Sequence, residues 1–72
     1  MSDYKERMIT EYKDLKERHE KLYRMIVKYE AGTLDFRPDC PIELLKKQET
    51  IMLRYLTILD IRAEIEKIDL EV

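Results

Sequence analysis

Every residue that breaks a helix lies within ten positions of this chain: its single glycine is Gly32, and its two prolines are Pro38 and Pro41. Nothing interrupts the sequence on either side of that window. Charged residues make up 42% of the chain, and charge-rich stretches without breakers belong to long helices. The expected fold is therefore all-α: an antiparallel helical hairpin of two long helices. It forms one domain over 1–72, with helix 1 at about 3–31, a loop at about 32–40 and helix 2 at about 41–68.

The apolar pattern of the first half supports this. Met8, Tyr12, Leu15, His19, Leu22, Ile26 and Tyr29 step alternately by four and three. That is a heptad seam, which stays on one face of a helix. Asp3 followed by Glu6 has capping-box spacing at the start. Lys13, Glu17, Glu20, Lys21, Arg24 and Lys28 form the polar face, with Glu17–Lys21 and Glu20–Arg24 as i,i+4 pairs. Gly32 ends the helix by taking the left-handed cap conformation. Leu34 and Phe36 are expected to fold back and plug the end of the hairpin. Asp39 or Cys40 should cap helix 2, with Pro41 in its first turn and Glu43 at its positive end. A loop this short makes the helices antiparallel neighbours, and facing residue numbers then sum to about 72.

Helix 2 carries two apolar stripes. Leu45, Gln48, Met52, Tyr55, Leu56, Leu59 and Ala63 suit packing against helix 1. Leu44, Ile51, Ile58, Ile61, Ile65, Ile68 and Val72 lie about 120° around the axis. One helix cannot cover both. A hairpin of 72 residues is also marginal alone, because chains of this size bury only ~60% of their unfolded surface. The expected state is a homo-oligomeric helical bundle, with Ile51, Ile58, Ile61, Ile65 and Ile68 at the oligomer interface.

Charge and motif content narrow the function. With 14 basic and 16 acidic groups the net charge is -2, so duplex nucleic acid is not an expected partner. A small anionic ligand needs only a few local cations. Cys40 is the only cysteine, and it cannot build a zinc site with the single histidine, so neither a metal nor a cofactor is expected. No run of 18 apolar residues spans a membrane, and Met1–Arg7 has no apolar signal core. The expected location is cytoplasmic. His19 sits in the seam with no acidic or serine partner at readable spacing, and reads as structural. Met1, Met8, Met25 and Met52 read as core filler. No nucleophile–base pair, carboxylate pair or calcium loop is visible, so the chain is not expected to be an enzyme.

Tyr4, Arg7, Arg54 and Arg62 are the candidate ligand-binding residues. Tyr4 stands in the first helical turn beside Lys5 and Arg7, where an aromatic ring with nearby cations can stack a base and hold a phosphate. Arg54 and Arg62 interrupt the second stripe, and the antiparallel register puts Glu11 opposite Arg62 and Arg18 near Arg54. An exposed Glu11–Arg62 ion pair is the plainer reading of that placement. The alternative gathers Arg7, Arg54 and Arg62 at an oligomer interface, where like charges require a bound anion.

Arg7-Met8, Glu11-Tyr12, Leu15, Arg18 and Lys21-Leu22, with Leu44-Leu45, Gln48, Met52, Tyr55-Leu56, Leu59 and Arg62, resemble a family of small helical-hairpin proteins common in bacteriophages and prophages, crAss-like phages included. The architecture is also similar to phage anti-CBASS proteins, small oligomeric hairpins that sequester cyclic nucleotides. No ligand residue carries over by position. The resemblance implies a phage-encoded sponge acting in an infected bacterial cell, which binds a nucleotide immune messenger between subunits. The alternative is an interaction factor whose isoleucine stripe docks on and blocks a host or phage protein.

Overall fold

A computed structural model describes residues 3–71 of the chain. Met1 and Val72, named above as core filler and stripe member, lie outside the described residues. Two helices account for the architecture: α1 spans Asp3–Ala31 and α2 spans Ile42–Glu66. They pack on each other in a particle of 47 × 18 × 17 Å. No helix of the described residues is long and apolar enough to cross a membrane.

α1 ends as its glycine requires. Gly32 has φ +78°, its N–H donates to the Tyr29 carbonyl at 3.1 Å, and the Thr33 N–H reaches the Lys28 carbonyl at 2.9 Å. These two bonds make a Schellman motif and satisfy carbonyls that the helix end leaves open. The start of α2 differs from the expectation. Neither Asp39 nor Cys40 caps it; Pro41 does, with ψ 140° and no side-chain cap hydrogen bond. The Pro41 carbonyl instead accepts from the N–H groups of Leu44 and Leu45. Its ring sets φ near the required value but removes a donor the first turn does not use. Phe36 is also not a plug, being 56% exposed, while Leu34 is half-buried.

The core lies at the end of the hairpin away from the loop. Met8, Tyr12 and Leu15 of α1 meet Leu56, Leu59 and Ala63 of α2, with Ile9 and Met52 packed at the edge. Ile68 and Leu70 complete it from beyond the second helix. This corrects two expectations. α2 stops at Glu66, because Lys67 turns left-handed (φ 57°, ψ 48°) and the Ile68 N–H closes back on the Ala63 carbonyl at 2.9 Å. Ile68 therefore leaves the outward stripe and is only 9% exposed, so it is not available as an interface residue. A left-handed non-glycine residue costs roughly 1–2 kcal/mol, which burial of two large aliphatic side chains offsets.

The other described residues of the second stripe remain on the outside. Leu44, Ile51, Ile58, Ile61 and Ile65 are between 54% and 73% exposed. In the loop half of the hairpin the seam residues His19, Leu22, Ile26 and Leu45 are only half-buried. Tyr29 and Tyr55, assigned to the seam, are 43% and 41% exposed, because they fall at the edges of the contact where a long ring extends past the facing helix.

Candidate functional site

The first turn of α1 and the last turn of α2 meet where the antiparallel register brings low numbers to high ones. Tyr4, Arg62 and Glu66 form one cluster there. The Tyr4 phenol donates to Glu66 Oε1 and accepts from Arg62 Nη2 at 2.8 Å. Arg62 Nε donates to Glu66 Oε2 at 3.3 Å, and the guanidinium lies 5.9 Å from the centre of the Tyr4 ring. Arg62 thus pairs within its own helix and with Tyr4. It does not pair with Glu11, because an i,i+4 carboxylate needs no crossing between helices.

Within this clasp the Glu66 carboxyl is held below the usual 4.5, first by the Tyr4 phenol, which outweighs the opposing effect of desolvation, and further by Arg62. A carboxylate depressed in the folded state stabilises it above the unfolded value and loses that effect as pH falls through the folded value. The Glu66 carboxyl resonance should therefore titrate with a midpoint below 4.5, and Tyr4→Phe should move the midpoint upward. A midpoint at or above the ordinary value in the parent protein would mean that the clasp does not form in solution.

The other two candidates are placed elsewhere. Arg7 lines an open groove of about 860 Å³ along the flank of α1, shared with Arg18 and Tyr55. Asp3, Glu6, Glu11 and Asp14 line the same groove, so carboxylates outnumber cations there. Arg54 is exposed on α2 outside that groove. In a single hairpin, then, only Tyr4 and Arg62 are brought together.

His19 has a partner that sequence spacing did not show. Its Nε2 lies 2.8 Å from Glu49 Oε2 across the hairpin, with both side chains largely shielded, and its ring stacks on Tyr23 at 6.2 Å. The signal was the register, since 19 and 49 sum to 68, close to the expected value. Lys46 and Glu30 make a second cross-helix pair at 2.7 Å, and Glu30 holds the Lys46 ammonium above its usual value. Burial, then Asp60, pushes the Tyr12 phenol up, so Tyr12 remains neutral in the core. Among the described residues no group of three histidine, cysteine or carboxylate side chains is placed to hold a metal ion.

The chain matches the family model Sequestin over residues 2–65. The matched region takes in α1, the loop and all but the last residue of α2. Neither the curated proteins nor the solved structures provide a match.

Proposed function

The chain belongs to the Sequestin family, and from that membership we propose that it sequesters a small anionic nucleotide between copies of itself, without altering it. The family name denotes sequestration, which is binding and not turnover. The observation that carries the reading is the exposed apolar line on α2: Leu44, Ile51, Ile58 and Ile65 recur every seven residues and are 56%, 65%, 54% and 73% exposed. A second copy laid on this line would shield it from water and create clefts between subunits.

Arg62 sits four residues after Ile58 and three before Ile65, so it shares their face. A subunit covering the isoleucines would cover Arg62 and its Tyr4 neighbour as well. An arginine fork beside an aromatic ring suits a phosphate and a base, and in this reading the anion displaces Glu66 from Arg62. Arg7 and Arg54, apart in one hairpin, would contribute from neighbouring subunits. The phage resemblance supplies the biology: a catalytically inert protein that removes a host immune messenger.

The test is depletion. Protein in excess is incubated with cyclic di- and trinucleotides and ADP-ribose derivatives, free ligand is measured, and the protein is then denatured. Loss of one nucleotide from solution and its intact recovery is the expected result. No depletion of any of them removes the nucleotide reading and leaves docking on another protein. Recovery of a cleaved product would make the chain an enzyme.

A further inference from the structure

The outer face of α1 in the loop half carries three parallel i,i+4 rows: Tyr23 and Val27, Arg24 and Lys28, Lys21 and Met25. The middle row is cationic. Among the described residues, neither Arg24 nor Lys28 makes an ion pair, and the expected Glu20–Arg24 pair does not form. Two depressions share this middle row. On one side Phe36, Leu34 and Met25 line a cleft of about 370 Å³ with Arg24, Lys28 and Lys21 on its wall. On the other, Tyr23 and Val27 line a cleft of about 300 Å³ with the same Arg24 and Lys28.

We propose that the Arg24–Lys28 ridge is a phosphate-binding subsite flanked by two ring-accepting clefts, suited to a phosphate-bridged dinucleotide with one base toward Phe36 and the other toward Tyr23. This rests on the nucleotide-sequestering reading and adds to it a second phosphate subsite at the loop end, apart from the Tyr4–Arg62 cluster. Cations decide the location. Lys21, Arg24 and Lys28 face one carboxylate, Asp35, in the first cleft, whereas four carboxylates outnumber two arginines in the groove that holds Arg7. Lys21 is pulled only weakly away, since its pair with Glu17 at 3.4 Å has both side chains more than two-thirds in solvent. Arginine and lysine without partners bind phosphate with no pair to break first.

The rings decide the ligand class. Phe36 is 56% exposed and Tyr23 51%, on opposite sides of the ridge. Tyr23 stacks on His19, which steadies its ring. Aromatic faces in water beside cations are what a stacked base requires, and each stacked base contributes roughly 1–3 kcal/mol. The exposure of Phe36, which breaks the plug expectation, is accounted for by this role.

Residue-resolved NMR titration of the full chain tests the ridge with inorganic pyrophosphate, ADP and cyclic di-AMP. Pyrophosphate should give saturable shifts at Arg24 and Lys28, and the double variant Arg24→Ser with Lys28→Ser should bind it roughly tenfold more weakly or worse. Cyclic di-AMP should move both Phe36 and Tyr23, and ADP only one of them. Both substituted residues are exposed and without ion pairs, so the variant should keep its fold. Shifts that do not saturate, or that persist in the double variant, overturn the ridge. Ridge binding in which cyclic di-AMP moves only one ring overturns the two-cleft arrangement. Nucleotide depletion that the double variant performs as well as the parent removes this subsite while sequestration stands.

Discussion

Replacing Ile58 and Ile65 together with lysine is expected to bring the mass in solution down to that of one chain, 8.8 kDa. Both side chains lie on the line that repeats every seven residues along α2, and both are mostly exposed in the hairpin. Within one chain the substitutions remove little packing, so the helical signal should survive. In a bundle they place two ammonium groups per subunit in an apolar seam. Burial of an isoleucine is worth ~1.5–3 kcal/mol, and a buried unpaired charge costs more than that again. The loss should thus exceed what a marginal small oligomer can absorb. Mass by light scattering across a concentration series is the measurement. A parent protein that is already monomeric at every concentration, or a variant that keeps the parent mass, would remove the second copy from this face.

Leu59→Ala is expected to lower the unfolding free energy by ~2–5 kcal/mol, the range for truncating a large core aliphatic side chain. Among the described residues Leu59 is the one large side chain with no exposure at all, in the same core cluster as Met8, Tyr12, Leu15, Leu56 and Ala63. Few alternatives exist for closing the resulting cavity, because among the described residues the two helices and the Ile68–Leu70 return supply the core. Domains of this size have stabilities of only ~0.05–0.15 kcal/mol per residue, so this one change should leave little margin. Leu53→Ala serves as the contrast: Leu53 is 50% exposed, and its truncation should cost well under half as much. Urea unfolding at one fixed protein concentration reads both, since self-association adds to apparent stability. Equal effects of the two truncations would put the core elsewhere.

Side-chain partners were less legible than faces. The seam of α1 was visible because periodicity specifies which residues share a side of a helix. It does not specify the stagger between two helices. A shift of one turn changes which charges meet, and so Glu11 was expected opposite Arg62 while Glu66 and Tyr4 hold it, and Glu49 went unseen beside His19. The loop-end ridge was missed for a related reason. Arg24 and Lys28 belong to the polar face of α1 by period alone, and only the folded loop, which brings Leu34, Asp35 and Phe36 beside them, makes a cleft on that side.

By itself the sequence determined the hairpin: breakers confined to Gly32, Pro38 and Pro41, a heptad seam before them, and more apolar surface after them than one helix can cover. These are properties of each segment about its own axis, and local sterics with side-chain period suffice to set them. Only the tertiary structure decided that Lys67 turns left-handed, which takes Ile68 off the helical lattice and into the core instead of onto the outer stripe. It also decided that Arg62 is clasped at the open end, while at the closed one Arg24 and Lys28 make no ion pair among the described residues. The reason is that a chain reversal and a cross-helix pairing depend on the distance between segments remote in sequence, and no period within either segment encodes that distance.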